Sequence, residues 1–596
     1  MTPRLTPPSL TRGLFAFVLW VMPLVVGAQT YYSGGWAYTD QGTSVTIVGV
    51  QSSASGAISV PSTLGGKAVT VIADRAFYAL QNITSLSIPA SVTSMTGRAM
   101  QACTGLQSIT VNTSNPNFSS SGGVLFNKSK TTLVKCPHKL APGYVVPSSV
   151  TNLGIGSFMD SAITAFTIPS TVTYLSSSAF EGCALLTHIT VPSSVKTLGF
   201  YVFKNCRALQ SVSLTAGIKE VTLEMFASCT SLQSIALPTT VETVGVDAFR
   251  GCMALEEVFI PAATTIISGT AFWDCKGLRL FDVNPDNPNL CSVDGVLFNK
   301  AKTILRQYPA AKTGTYNVPA SVAMIDNLAF AYAQSLTEVR LPDGLTEVPL
   351  KAFSQCTGLR RISIPTGVTK IWSSAFAGCS SMRSVTLPST LANIETTAFL
   401  NCTTLEQVTI RGNAVSIGSS VFSGCGALQR AVFAGSAPTL GSTVFNGAAP
   451  GFTVYFFDGA AGFTAPIWQG YPSVAMGVSS PLVEWLIDHG LPYDADLEQN
   501  VGVNGINLLI AYAFDLDPET PELAQMPQAY WDGQRLKMEY FQGRTDVIYR
   551  AECSEDLVEW TTEGVTVAPV AESSRVVAST ESAQGRGFLR VAVSRR

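Results

Sequence analysis

Phe180-Glu181-Gly182-Cys183-Ala184-Leu185-Leu186-Thr187-His188-Ile189-Thr190-Val191-Pro192 decides the fold, because its apolar side chains return at a fixed interval along most of the chain. An aromatic is followed by Cys or a small residue at three, Leu at six, a β-branched residue at nine, another apolar residue at eleven and often Pro at twelve. The anchors are Phe77, Met100, Phe158, Phe180, Phe203, Phe226, Phe249, Phe272, Phe330, Phe353, Phe376, Phe399, Phe422 and Phe445. Most intervals are 23 residues; one of 22 precedes Phe180, and two of 58 run from Met100 to Phe158 and from Phe272 to Phe330. Apolar residues at nine and eleven alternate as in a strand. A unit this short supplies one strand and a return segment, and buries its apolar face only by stacking on its neighbours. The pattern predicts a leucine-rich-repeat-like solenoid with a parallel concave sheet.

The two long intervals each exceed the period by 35 residues, and the excess is itself repeated. Asn115-Pro116-Asn117 leads to Gly123-Val124-Leu125-Phe126-Asn127-Lys128, and Asn287-Pro288-Asn289 leads to Gly295-Val296-Leu297-Phe298-Asn299-Lys300, at an offset of 172 throughout. A block of that length was duplicated. Each insertion (about 112–150 and 284–322) reads as a strand, an Asn-Lys turn and a second strand.

The segments 179–192 and 375–388 and the Gly-Val-Leu-Phe-Asn-Lys insertions resemble the BspA-type leucine-rich repeats of bacterial surface proteins, over roughly residues 73–450. The resemblance implies a leucine-rich-repeat solenoid, and some members of that family act as adhesins for matrix proteins or other cells. No single ligand is implied. Residues 29–72 read as an N-terminal β cap and 451–480 as the opposite cap, each hiding an open sheet edge.

Of the 596 residues, 46% are hydrophobic and 13% charged, which excludes a collagen-like or disordered chain. A net charge of −3 gives no field that would draw in nucleic acid. Charge is unevenly placed, with 19 acidic against 9 basic residues in 481–596. That acidic stretch reads as a C-terminal mainly-β domain, two helices followed by a small β-sandwich. Its Leu508 to Pro518 segment resembles a motif in C-terminal modules of secreted Gram-negative proteins. Such relatives carry an Asp-rich, calcium-like stretch just upstream; Asp494, Asp496, Glu498, Asn500 and Asn504 stand here without its regular order, and no cofactor is assigned. At the other end, Arg4 and Arg12 precede an apolar run closed by Gly27 and Ala28. Residues 1–28 therefore read as a signal peptide, which predicts a secreted or cell-surface protein with no integral membrane span after cleavage.

Ten of the 13 cysteines share one repeat position: Cys103, Cys183, Cys206, Cys229, Cys252, Cys275, Cys356, Cys379, Cys402 and Cys425. That site faces inward with the Leu ladder, so a reduced structural ladder is expected rather than disulfides, and Ala333 fills it once. Cys136, Cys291 and Cys553 fall outside. Spacing of 23 is no zinc signature, and no nucleophile elbow, phosphate loop or zinc helix occurs. Nothing specifies an enzyme, and a reaction hidden in the tail ranks last.

Binding is the better-supported class. Positions eight and ten after each aromatic should face solvent. They begin small and polar (Ser85, Ser87, Ser211, Ser213) and later become bulky and charged, with Glu257, Phe259, Glu338, Arg340 and Arg361; the flanking seventh positions add Arg360 and Arg383. Arg340, Arg360, Arg361 and Arg383 fall on three consecutive rungs and predict a basic patch for an extracellular protein or an anionic glycan. Phe259 beside Glu257 reads either as an exposed anchor or as a ring lying under an insertion. The competing readings are a merely solvated charged face and a structural spacer or self-associating envelope component without a specific ligand.

Overall fold

The computed structural model describes residues 29–139, 144–413, 415–499, 502, 506–516, 526–531, 535–554, 559–563, 565–570, 574–581 and 588–595. The signal peptide expected over 1–28 lies outside them, as do Asn500, Asn504 and Pro518. The described residues form two compact units, divided between Leu209 and Gln210.

The first unit opens with the antiparallel strands Thr30–Ser33, Trp36–Asp40 and Ser44–Val50, the last pairing in parallel with Lys67–Ile72. Parallel rungs follow at Gly56–Ser59, Ile83–Ile88 and Ser108–Val111, and again at Ala165–Thr167 and His188–Val191. In the second unit Ser211–Leu214, Ser234–Ala236, Glu257–Ile260 and Leu280–Val283 stack in register, and Gly314–Asn317, Leu336–Arg340 and Arg361–Ser363 form a further parallel set. Ser384–Leu387, Gln407–Ile410, Arg430–Phe433, Thr453–Phe456 and Tyr471–Ala475 continue the pattern.

Each rung also carries a second strand, which the expected return segment did not include. Two residues such as Thr197–Leu198 or Lys370–Ile371 pair in parallel with their counterparts and build a second, narrower sheet. The insertions hold three strands rather than two: Leu290–Val293, Val296–Asn299 and Ile304–Gln307 form an antiparallel meander whose last strand joins Met324–Ile325 of the second sheet in parallel. The first insertion repeats this with Phe118–Ser121, Val124–Asn127 and Thr132–Lys135.

The repeat aromatics form columns. In the second unit Phe330, Phe353, Phe376, Phe399, Phe422 and Phe445 stack at centroid spacings of 4.7 to 5.6 Å, close to the separation of neighbouring strands. Two residues after each ring the backbone turns left-handed, at Gly182 (φ 74°), Asp274 (φ 62°), Gly378 (φ 78°) and Asn401 (φ 57°). Gly, Asn and Asp tolerate that region best, which accounts for the recurring Gly-Cys, Asn-Cys and Asp-Cys pairs.

All 13 cysteines carry free thiols. The ladder thiols do more than fill space: Sγ of Cys206 donates to the Phe180 carbonyl at 3.1 Å, and Cys356, Cys379, Cys402 and Cys425 donate likewise to Phe330, Phe353, Phe376 and Phe399 at 3.0 to 3.2 Å. Cys136 takes the ring position that Tyr308 holds 172 residues later, where Tyr308 stacks on Phe330 at 4.9 Å. The Asn of each Asn-Pro-Asn motif is fully buried. Asn287 Nδ2 donates to the carbonyls of Pro261 and Thr264, and its Oδ1 accepts from the amides of Asn289 and Leu290, all at 2.8 to 2.9 Å. Asn115 makes the same four bonds in the first copy.

Candidate ligand-binding face

The face of the second unit's larger sheet is set by alternation. Val258, Ile260 and Val339 point inward and are buried, while Glu257, Asp282 and Arg340 are exposed and Phe259 and Arg361 half-buried. Register places Glu257 opposite Leu280, Phe259 opposite Asp282, Glu338 opposite Arg361, and Arg340 opposite Ser363.

Two features of this face differ from a simple basic patch. Glu338 lies inside the arginine group: its Oε1 accepts from Arg340 Nε at 3.0 Å, and its strand neighbour is Arg361. Arg360 and Arg383 are exposed beside it. Glu257 and Phe259, by contrast, belong to the sheet segment before the insertion and the arginines to the segment after it, so the six residues do not form one cluster.

The next rungs are covered by the chain itself. Helix α1, Pro481–Asp488, begins at Ser480, whose hydroxyl caps the Val483 amide, with Pro at the first turn where its missing N–H costs nothing. Its C-terminal end sits on the sheet. Ile487 O accepts from Gln407 Nε2 at 3.1 Å and Thr409 Oγ1 at 3.0 Å, and Asp488 O accepts from Thr386 Oγ1 at 3.3 Å. These sheet side chains satisfy carbonyls that a helix end leaves without intrahelical partners. Arg430 Nε holds the Gln407 amide at 2.8 Å, which fixes its orientation. Arg411 is gripped from both sides, by Glu484 and Asp488 at 2.6 Å each, and Ile487 packs with Val432, Phe457 and Met476.

Between the arginine rungs and the helix end lies an open groove of about 390 Å³, lined by Glu338, Arg361, Ser363, Ser384, Thr386, Asp488 and His489. Sequence reasoning found Glu338 and Arg361. It missed Asp488 and His489, which reach the groove only through the docking of α1. His489 is anchored by Nδ1 against the Trp485 carbonyl at 2.8 Å and by its ring against Trp485.

Beyond α1, helix α2 (Leu508–Phe514) packs with the strands Arg535–Phe541, Val547–Ser554 and Phe588–Arg595 around its own core. Tyr512 donates to Asp546 at 2.8 Å. Among the described residues no group of three or more His, Cys, Asp or Glu side chains is placed to hold a metal ion. Among them too, no helix is long and apolar enough to cross a membrane.

Stacked 23-residue rungs with a parallel sheet, an aromatic column and a Leu/Cys interior define a leucine-rich-repeat solenoid. The BspA-type leucine-rich repeat region matches in six copies over residues 57–142, 151–279 and 323–449, more than half the chain, and the protein belongs to that family. Solved structures similar to it include a leucine-rich cell surface protein from Faecalibacterium prausnitzii, 26% identical, covering 69% of this chain and 96% of the other at a TM-score of 0.44. The pneumococcal vaccine antigen PcpA is 17% identical over 75% of this chain and 98% of its own, with a TM-score of 0.39. A leucine-rich repeat protein from Bacteroides ovatus is 21% identical over 67% and 94%, with a TM-score of 0.35. No curated protein matches.

Proposed function

We propose that this is an exported, non-enzymatic binding protein of the bacterial surface, which recognises an extracellular protein through the larger sheet of its second unit. The observation that carries the reading is the seat of α1: Thr386, Gln407 and Thr409 already hold the carbonyls of a polypeptide segment on this face, while Arg411 holds its two carboxylates. The uncovered rungs beside it present the same chemistry. Arg340, Arg360, Arg361 and Arg383 supply the charge-assisted donors, Ser363 a neutral one, and Glu257 with Phe259 a second contact point before the insertion. An acidic protein surface is the favoured ligand, with an anionic glycan as the competing one.

The test is binding of the protein to arrayed matrix proteins and sulfated or uronic glycans at two salt concentrations, beside a variant with Arg340, Arg360, Arg361 and Arg383 all changed to Ala. Saturable, salt-sensitive binding that the folded variant loses supports the reading. Binding by neither, together with concentration-dependent self-association, favours the spacer.

A further inference from the structure

The two 172-residue copies allow one seam to be compared within a single chain. In the first, the turn at Gly97 is closed against the rung beyond the insertion: its amide donates to Ile155 O at 3.0 Å, and a Cβ built on Gly97 would lie 2.7 Å from that oxygen. In the second, the counterpart of Gly97 is Gly269 and that of Ile155 is Asn327. A Cβ on Gly269 would stand 3.8 Å from Asn327 O, its nearest neighbour. The wider seam opens into a cavity of about 180 Å³ whose lining includes Ser268, Phe272, Leu297, Arg306, Gln307 and Asp326.

The lining has changed along with the width. Arg306, Gln307 and Asp326 stand where the first copy has Val134, Lys135 and Gly154. Arg306 Nη1 and Asp326 Oδ2 pair at 2.9 Å, yet the buried Arg306 Nε has no partner. Gln307 is only 8% exposed, and among the described residues no hydrogen bond reaches its side chain. Arg306 Nε is the buried group left without a partner here, and the Gln307 amide borders the cavity with its hydrogen-bonding capacity unused.

We propose that this seam is a binding site for a neutral polyhydroxylated ring of monosaccharide size. The Arg306–Asp326 pair cancels its own charge, so an ion gains little there. Together with Gln307 and Ser268 it offers both donors and acceptors, the requirement of neighbouring hydroxyls. Phe272, Leu290 and Leu297 supply an apolar floor for the C–H face of a ring. The volume equals that of about six waters, which suits one hexose. The site stands on the second, narrower sheet and is independent of the protein-binding reading.

Saturation-transfer NMR on the full-length protein tests this, with glucose, galactose and mannose as neutral probes and glucuronate and inorganic phosphate as charged ones. Transfer to at least one neutral hexose is expected, weakened about tenfold in Gln307→Leu, as losing one buried hydrogen bond implies. It should vanish in Arg306→Val/Asp326→Gly, which restores two first-copy residues. No transfer to any neutral hexose overturns the proposal, as does transfer to the charged probes alone. Hexose transfer undiminished in Gln307→Leu also overturns it, and that single variant decides if the double one fails to fold.

Discussion

Arg411 and Asp488 meet at 2.6 Å although 77 residues separate them, and the contact ties a repeat rung to the last residue of α1. Arg411→Ala should loosen the helix end at a cost of about 1–3 kcal/mol, since the pair is only partly exposed and Glu484 loses its partner as well. Hydrogen exchange over residues 481–490 should rise while exchange in the rungs before Arg361 stays unchanged. Unchanged protection of α1 would refute the clamp.

Asn287 offers a sharper loss. Removing its side chain takes the donor from the Thr264 carbonyl, one of two donors from the Pro261 carbonyl, and the acceptor from the amides of Asn289 and Leu290. Asn287→Ala should cost ~3 kcal/mol or more. Asn287→Asp should be worse, because an acceptor then faces two carbonyl oxygens. Urea midpoints of both variants, with the Asn115 pair as an internal replicate, check the order.

Lys135 predicts a pH dependence. Lys135 is 2% exposed and its ammonium donates to the Met159 carbonyl at 2.7 Å; burial pushes its pKa below the usual lysine range, outweighing the attraction of nearby acidic groups. Across the window between that lowered value and an unfolded pKa of about 10.4, the unfolded chain binds the extra proton. Stability tied to this residue therefore rises with pH through that window, and the full penalty stands below it. Lys135→Gln installs the residue found at 307. Its stability advantage over the native protein should shrink between pH 7 and pH 10, as read from paired denaturation curves; an advantage that grows would reverse the sign.

Thiol labelling should split the cysteines in two. Burial pushes the Cys103 thiol up to about 11 and those of Cys275 and Cys356 to about 12, and the ladder is sealed from solvent. In the native protein at pH 8, an alkylating reagent read by peptide mass spectrometry should modify the half-buried Cys291 and Cys553 and leave Cys379 or Cys402 untouched. Fast modification of the ladder would show that the stack opens.

The repeat was legible because its apolar period is strict: Phe180, Cys183, Leu186, Ile189 and Val191 are all buried, as their spacing requires. The two-residue strands such as Thr197–Leu198 were not, since alternation over two residues carries no period. The insertion's first strand, Leu290–Val293, was hidden by the turn at Asp294-Gly295, which reads as part of a loop. Outward positions such as Glu257 and Arg340 follow from strand parity alone. That Arg411 and Gln407 would be covered does not, because the covering helix comes from some 80 residues downstream, and nothing local in either segment marks the other.

The thiol bonds also have a direction. Ladder cysteines such as Cys206, Cys379 and Cys425 reach back to the carbonyl of the preceding ring, so the acceptor is synthesised before the donor. The ladder can thus be closed in the order of translation, like a zip with one slider, each rung locking onto a finished one.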